Sequence, residues 1–224
     1  MSSIYIIAGP PGIGKSTSGH EYIDPDLDIL NEDVLRMKYK AIGYTDYNEY
    51  SIHRVQGMIK DNLIRNNDFA LELNLGYPHQ YDYILSTKRF SHDNKLHVVL
   101  FFTDQLQLCL DRAEARYASG SHLVKPEIIR EMYANTVPLL KENFDKIDEL
   151  LLVDTNSNDV LTFVARYTKS NKEFFIRSNT GSWFINDVKP YIESQLALTN
   201  FQNPSLKPID PDMPENKRSG GRKR

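Results

Sequence analysis

Gly-Pro-Pro-Gly-Ile-Gly-Lys-Ser occupies residues 9–16, directly after the apolar run Ile-Tyr-Ile-Ile-Ala at residues 4–8. This is the complete Gly-x-x-x-x-Gly-Lys-Ser pattern of a phosphate-binding loop, placed between a predicted buried strand and a predicted helix over residues 15–22. The glycines let successive backbone N–H groups turn toward an anion, and the start of the helix adds the positive end of its dipole. The pattern therefore predicts a site for the phosphates of a nucleotide.

The predicted nucleotide-binding residues form one continuous segment, and two of them have distinct chemistry. The Lys15 ammonium is long enough to reach the outer phosphates, and the Ser16 hydroxyl is the predicted ligand of Mg²⁺. A Gly/Pro-rich turn without a ligand is the alternative, but the flanking strand and helix favour a nucleoside triphosphate such as ATP. The segment consists of Gly9, Pro10, Pro11, Gly12, Ile13, Gly14, Lys15, Ser16 and Thr17.

The composition is that of an ordinary globular chain and excludes several classes of protein. Of the 224 residues, 40% are hydrophobic and 25% are charged, which suffices for one α/β domain with a sizeable core. No apolar stretch approaches the length of a membrane span and the N-terminus lacks a signal-peptide pattern, so we expect a cytoplasmic protein with no membrane partner. Cys109 is the only cysteine, which excludes internal disulfides and a cysteine-rich zinc site.

Charge is distributed unevenly along the chain. The formal net charge is −3, and residues 203–224 hold six Lys or Arg against three acidic residues, a local charge of +3. Residues 1–202 therefore carry −6, which offers no electrostatic footprint for a nucleic acid. The basic segment 203–224 contains prolines but no aromatic residue, and it is predicted to be a disordered tail.

Hydrophobic periodicity predicts an α/β fold. Strands and helices alternate up to residue 154, which is typical of an open parallel sheet of the P-loop NTPase type with helices on both faces. Residues 161–177 then predict a small β-hairpin and residues 187–198 a helix. We expect a P-loop domain over residues 1–157, with the hairpin and helix appended to it over residues 158–202. The predicted strands are residues 4–8, 27–30, 69–73, 96–102 and 150–153, and the predicted helices are 15–22, 47–66, 79–90 and those that begin at Asn31 or Asp33, at Asp104 and at Pro126, the last broken or kinked at Pro138.

Three groups of polar residues outside the loop are candidate catalytic residues. Asp33 follows the second predicted strand, so it is expected over the same sheet edge as Lys15, either as a general base or as a helix cap. Glu72 is an acid in an apolar strand, and it either binds a substrate hydroxyl or the Mg²⁺ shell, or pairs with a cation. Arg112 and Arg116 share one flank of a helix, either as lid cations over a γ-phosphate or as a solvated surface pair.

Several motifs, in the same order along the chain, resemble those of the zeta-toxin-like P-loop kinases, in particular the short bacterial members. The resemblance covers residues 1–157, and its most distinctive part is the segment after the fourth strand, which is similar to Arg-x-x-x-Arg-x-x-x-Gly-Gly-His. The motifs are Gly-Lys-Ser at 14–16, Asn-Glu-Asp-Val-Leu-Arg at 31–36, Leu-Glu-Leu-Asn at 71–74, Arg-x-x-x-Arg-x-x-x-Gly-Ser-His at 112–122, Pro-Glu-Ile-Ile-Arg at 126–130 and Val-Asp-Thr-Asn-Ser at 153–157.

The resemblance implies an ATP- and Mg²⁺-dependent kinase with a helical lid and a hydroxyl acceptor, which in the best-known members is UDP-N-acetylglucosamine. It implies Lys15 and Ser16 on ATP and Mg²⁺, Asp33 as catalytic base, and Arg112 and Arg116 as the lid cations. A small antitoxin protein is the implied partner. The implied substrate-binding residues are Arg36, Glu72 and Asn74.

Two other functions fit the phosphate-binding loop. A nucleotide-dependent ATPase or switch needs an acidic strand end for Mg²⁺, and Asp104 in Phe-Phe-Thr-Asp is the candidate for that group. We favour Asp104 as a helix cap because helical periodicity begins directly after it. A nucleic-acid-end kinase would use the basic tail, which offers no aromatic side chain for base stacking.

Overall fold

A single sheet organises the molecule. In the computed structural model, which describes residues 1–119, 123–156 and 161–202 and their side chains up to residue 198, this sheet has seven strands. They are β1 (Ser3–Ala8), β2 (Ile29–Leu30), β3 (Phe69–Glu72), β4 (Lys95–Phe102), β5 (Glu149–Asp154), β6 (Thr162–Thr168) and β7 (Glu173–Ile176). Their order is β2-β3-β1-β4-β5-β6-β7, with β1 to β5 parallel and β6 and β7 antiparallel.

Helices cover both faces of this sheet, as the alternation of elements predicts. They are α1 (Lys15–Ser18), α2 (Glu32–Ala41), α3 (Tyr47–Arg65), α4 (Pro78–Lys88), α5 (Leu106–Ala118), α6 (Pro126–Asn143) and α7 (Lys189–Gln202). The α/β, P-loop NTPase-type architecture is confirmed. Within the described residues no helix is long and apolar enough to cross a membrane.

The alternation of β1 explains how the sheet forms two cores. Ile4, Ile6 and Ala8 pack into the larger hydrophobic cluster on one face, whereas Ile7 packs into a second cluster on the other face. Successive side chains of a strand point to opposite faces, so a continuous apolar run is buried on both sides. The position of β1 in the middle of the sheet follows from this sequence.

The loop after β1 leaves the sheet at the carboxyl edge, between two neighbouring strands. Ile7 is in register with Glu72 of β3 on one side and with Val99 of β4 on the other. Because parallel strands end at the same edge, the ends of β1 and β3 bring the loop and Glu72 together. This edge is where ligands bind in open α/β sheets.

One local prediction near the loop needs correction, and the choice between two predicted caps is resolved. The helix predicted over residues 15–22 is α-helical only over Lys15–Ser18 and continues as a 3₁₀ turn over Gly19–Tyr22, so it is too short for a large dipole. The cap of α2 is Asn31 and not Asp33, because the Asn31 Oδ1 accepts hydrogen bonds from the backbone N–H groups of Asp33 and Val34 at 2.9 and 3.3 Å.

Two further predictions concern Pro138 and Asp104. Of the two outcomes predicted for Pro138, the break is wrong, because α6 continues through it: a proline removes one hydrogen bond and the buried apolar face of the helix holds the rest. A kink at Pro138 stays a prediction. Asp104 does not cap α5: its carboxylate instead accepts hydrogen bonds from the backbone N–H groups of Ser182 and Trp183 at 2.6 and 2.8 Å. It therefore ties the end of β4 to the segment that precedes α7.

The hairpin predicted after residue 160 is present and is continuous with the sheet. Strand β6 pairs antiparallel with β5, with Leu150 opposite Tyr167, and β7 pairs antiparallel with β6. The appended segment therefore adds two strands to one edge of the parallel sheet. The predicted tail at 203–224, and residues 120–122 and Ser157 of the family motifs, lie outside the described residues.

Candidate active site

The loop over residues 9–14 packs against the sheet and α5 so closely that a side chain cannot replace the hydrogen of Gly9 or Gly12. Gly12 has φ +81°, and a Cβ there would lie 2.2 Å from the backbone oxygen of Cys109 in α5. Gly9 has φ +139°, and its Cβ would lie 2.3 Å from the backbone oxygen of Phe101 in β4. Both the left-handed backbone and the close approach exclude side chains, which leaves the loop backbone available to line a cavity.

Lys15 is buried, and its ammonium is held inside the loop that it terminates. The Nζ donates hydrogen bonds to the backbone oxygens of Gly9 and Pro10 at 2.7 and 3.1 Å, and to Oδ1 of Asn74 at 2.8 Å. Burial lowers the pKa of Lys15 to about 8, against the opposing effect of nearby carboxylates, of which Glu72 is the strongest. The charged form of Lys15 is therefore less stable here than in water, and phosphate oxygens in the cavity would stabilise it.

Ser16 and Glu72 form a hydrogen-bonded pair of oxygen groups where β1 and β3 end. The Ser16 Oγ donates a hydrogen bond to Oε1 of Glu72 at 2.7 Å, and Nδ2 of Asn31 donates to the other oxygen, Oε2, at 2.8 Å. A hydroxyl and a carboxylate are the hard ligands that suit Mg²⁺, which takes its remaining ligands from phosphates and water. These two residues fit the ion that the loop motif implies.

A cavity of about 570 Å³ opens over this loop. Three of its lining residues are cationic: Lys15, Arg112 and Arg116. Arg112 also contacts the loop directly, because its Nη1 donates a hydrogen bond to the backbone oxygen of Ile13 at 3.2 Å. Both arginines lie on α5 and share this cavity, so the structure brings together the loop and the predicted lid cations.

The predicted nucleotide-binding segment divides into two parts. Residues 12–17 line the cavity, whereas Gly9, Pro10 and Pro11 are buried and are not among its lining residues. Gly9 and Pro10 instead supply the oxygens that hold Lys15. The first part of the motif therefore supports the lysine, and the second part forms the surface that a phosphate would meet.

A second cavity of about 360 Å³ adjoins the first, and Glu72 lines both. Sequence reasoning did not identify most of its lining residues, because they come from α3 and α4, whose apolar periodicity indicates only a core face. One signal was available, since Glu32 belongs to the family motif at 31–36. The lining residues are Leu30, Glu32, Ile52, Val55, Gln56, Leu71, Glu72, Leu73, His79, Gln80 and Tyr83.

Asp33 and Arg36 lie on α2 beside these cavities and line neither of them. The guanidinium of Arg36 contacts Oδ1 of Asp33 at 2.9 Å and Oε1 of Glu32 at 2.5 Å. The Asp33 side chain is 58% exposed, yet it is near enough to Lys15 to act on its pKa. One arginine therefore contacts both carboxylates in the first turn of α2.

The acid at the end of β4 is fully engaged in a separate polar cluster. Besides its two backbone donors, Asp104 accepts a hydrogen bond from Nδ2 of Asn156 at 2.9 Å. The same Asn156 nitrogen donates to Asp154, which also accepts from Nε1 of Trp183 at 2.8 Å. Desolvation raises the pKa of the buried Asp154 carboxyl. Glu72, and not Asp104, is the acid that contacts Ser16.

Comparisons with known proteins agree on the fold. Neither the family models nor the curated proteins compared with the sequence match it. Among solved structures, the AvrRxo1-ORF1:AvrRxo1-ORF2 complex with sulphate ions is similar, with a TM-score of 0.60 and 10% sequence identity over 80% of this chain. This chain covers 62% of that chain, which is less than two thirds of its length.

Two further structures give the same result. The AvrRxo1-ORF1:-ORF2 complex with ATP has a TM-score of 0.59 and 11% identity, covering 87% of this chain and 76% of that chain. The PezAT chromosomal toxin-antitoxin system of Streptococcus pneumoniae has a TM-score of 0.54 and 11% identity, covering 88% and 87%. At these identities the likeness concerns the fold. The chain therefore shares the P-loop α/β fold of these structures.

Proposed function

We propose that this protein is a kinase that transfers the γ-phosphoryl group of ATP to a hydroxyl group of a small molecule. The observation that carries the proposal is the pair of adjoining cavities that meet at Glu72. One is lined by the phosphate-binding loop and three cations, and the other is a separate space beside the same carboxylate. An ATPase that uses only water has no need of the second cavity.

Charge and position suggest a role for each residue. Lys15, Arg112 and Arg116 would stabilise the charge on the transferred phosphoryl group, since phosphoryl transfer is largely a matter of positioning and electrostatics. Ser16, with Glu72 beside it, would hold Mg²⁺, which when bound neutralises charge on the phosphates. Each of these groups lies in the cavity over the loop.

The acceptor hydroxyl needs a base, and Asp33 is the residue that the family resemblance implies. Its ion pair with Arg36, at 2.9 Å, orients its carboxylate. As the new O–P bond forms and the bond to the β-phosphate oxygen of ATP breaks, the hydroxyl proton passes to the Asp33 carboxylate and ADP leaves. Glu72 and Asn74 complete the proposed substrate-binding set.

Two relatives in fold support the donor and suggest a partner. One solved neighbour contains ATP, and another is a toxin-antitoxin system. We therefore propose ATP with Mg²⁺ as the donor and keep a small antitoxin protein as a proposed partner, in the cytoplasm. UDP-N-acetylglucosamine, the acceptor that the resemblance implies, is one candidate acceptor among small-molecule alcohols.

Transfer from labelled ATP to a panel of sugars, nucleosides and sugar nucleotides tests the proposal. We expect Asp33→Ala to abolish transfer while the affinity for ATP is retained, and Lys15→Ala to weaken both. A labelled organic product identifies a kinase. Release of inorganic phosphate alone, unaffected by any added alcohol, would identify an ATPase instead, and full turnover by Asp33→Ala would remove this residue as the base.

A further inference from the structure

The two adjoining cavities carry opposite charges. The three cations Lys15, Arg112 and Arg116 line the cavity over the phosphate-binding loop. The second cavity has two carboxylates, Glu32 and Glu72, among its lining residues, and none of these residues is Lys or Arg. Within the described part of the chain, Lys and Arg side chains therefore line only the donor cavity, whereas Glu72 lines both cavities and Glu32 lines only the second.

This separation bears on what the second cavity can bind. Proteins recognise phosphate groups with arginine, lysine and backbone N–H donors, whereas a carboxylate repels a phosphate in a site of low dielectric. Arg36 does not line this cavity, and its guanidinium contacts the carboxylates of Glu32 and Asp33 at 2.5 and 2.9 Å. A phosphorylated acceptor would therefore meet Glu32 and Glu72, with the His79 imidazole as the one basic side chain among the lining residues.

The size and polarity of the second cavity further restrict which acceptors it can bind. A volume of about 360 Å³ is near the lower end of the range of about 300 to 1,000 Å³ for ligand sites. Leu30, Val55 and Leu71 supply apolar wall, and the Gln56 and Gln80 amides supply polar contacts. These groups suit a compact ligand with an apolar side and a few hydroxyl or amino groups.

We propose that the acceptor is a compact alcohol that is uncharged or basic and carries no phosphate group. This inference rests on the proposed kinase function, and it states which of the small-molecule alcohols is the acceptor class. It places nucleosides, unphosphorylated sugars and amino alcohols ahead of nucleotide-activated sugars. Its basis is the side-chain chemistry of the second cavity.

Fractionation by charge tests the class of acceptor even while the compound itself is unidentified. A small-molecule extract of bacterial cells is passed over an anion exchanger at neutral pH, which retains phosphorylated compounds and lets neutral and basic ones through. Each fraction is incubated with the full chain, Mg²⁺ and γ-labelled ATP, with pure UDP-N-acetylglucosamine as a separate sample. We expect at least about tenfold more labelled organic product from the unretained fraction, as follows from one unfavourable charge contact.

The outcomes separate this inference from the kinase function itself. Labelled product chiefly from the retained fraction, or from UDP-N-acetylglucosamine, would overturn the acceptor class and leave the kinase standing. Labelled organic product from neither fraction would overturn the proposed function on which the inference rests. The Lys15→Ala variant serves as the blank for label that arises without the phosphate-binding loop.

A matched pair of variants tests whether the acceptor binds in the second cavity. Ile52 and Ile64 both lie on α3 with exposed side chains, 38% and 57%, but only Ile52 lines the cavity. We expect Ile52→Trp to fill the cavity and lower transfer to unretained acceptors at least about tenfold, the cost of a lost ligand contact. Ile64→Trp, with the same change of side chain, is expected to transfer like the wild type. Equal transfer by the two variants would overturn the placement of the acceptor.

Discussion

The pKa of Lys15 predicts how ATP affinity depends on pH. In the unliganded protein, burial holds the pKa of this ammonium at about 8, below its ordinary value of 10.5. A bound triphosphate places negative charge on the same group, so its pKa in the complex rises again. Above pH 8 the free protein lacks a proton that the complex contains, and ATP binding must therefore take up that proton.

The size of the effect follows from the difference between the two pKa values. Below pH 8 both states are protonated and affinity is independent of this group. Above it, affinity falls about tenfold for each pH unit until the pKa of the complex is reached. Between about pH 7 and pH 9.5 this amounts to a loss of about 30-fold, or about 2 kcal/mol.

Isothermal titration calorimetry with a non-hydrolysable ATP analogue measures both quantities. Titrations in two buffers with different ionisation enthalpies count the protons taken up, and we expect a value near zero at neutral pH that rises toward one at alkaline pH. Asn74→Leu removes one of the three acceptors of the Lys15 ammonium, so proton uptake on binding should begin at a lower pH than in the wild type. Lys15→Met should bind weakly, with no proton uptake from this position.

A flat response would refute the reasoning. If the wild-type affinity for the ATP analogue is the same at neutral pH and at about pH 9.5, and no proton is taken up, burial does not lower the pKa of Lys15 in the free protein. If Lys15→Met retains the pH dependence of the wild type, another group is responsible for it.

Three further predictions concern stability and the acceptor. Gly57 lies in α3 with open space around it, so Gly57→Ala should raise the free energy of unfolding by about 1 kcal/mol in urea denaturation. Gly12→Ala should lower the free energy of unfolding by at least about 2 kcal/mol, because Gly12 has a positive φ and a Cβ there would clash with α5. Equal effects of the two substitutions would contradict this difference between the two glycines. Asp104→Ala removes the acceptor of two backbone N–H groups and should lower the free energy of unfolding by about 1 to 2 kcal/mol. A decrease below about 0.5 kcal/mol, the scatter of surface substitutions, would contradict a stabilising role for these hydrogen bonds. Glu72→Gln should raise the KM of the acceptor at least about tenfold in steady-state kinetics, since hydrogen bonds to charged groups contribute about 1.5 to 3 kcal/mol, and an unchanged KM would remove Glu72 from the acceptor site.

The fold could be predicted because its signals are local. The phosphate-binding loop, the apolar strands and the helical periodicity of α3 each depend on neighbouring residues, and all three are present as predicted. Asp104 shows where such reasoning ends. Its position before a helix indicates a cap, but its partners lie in residues 182 and 183, and only the folded chain brings these segments together.

The site could be predicted in part for the same reason. The structure brings the loop and the two predicted arginines to one cavity, and a motif and a helical spacing describe them; their roles stay predictions. The second cavity could not be predicted from the sequence, since Gln56 and His79 come from two helices with no shared pattern. The role of Asn74 also depends on tertiary structure: it contacts Lys15 across 59 positions of chain.

Glu72 can couple binding in the two cavities, because its carboxylate contacts the loop and the cap of α2 and also lines the second cavity. One oxygen accepts from Ser16 in the loop, and the other accepts from Asn31, whose own side chain caps α2. A ligand that takes Ser16 away from Glu72 thereby alters the carboxylate that the second cavity presents. Linkage makes such coupling reciprocal: the factor by which nucleotide changes acceptor affinity is the factor by which acceptor changes nucleotide affinity. The order in which the two substrates bind therefore cannot alter the stability of the ternary complex, and only the rates of reaching it depend on the path.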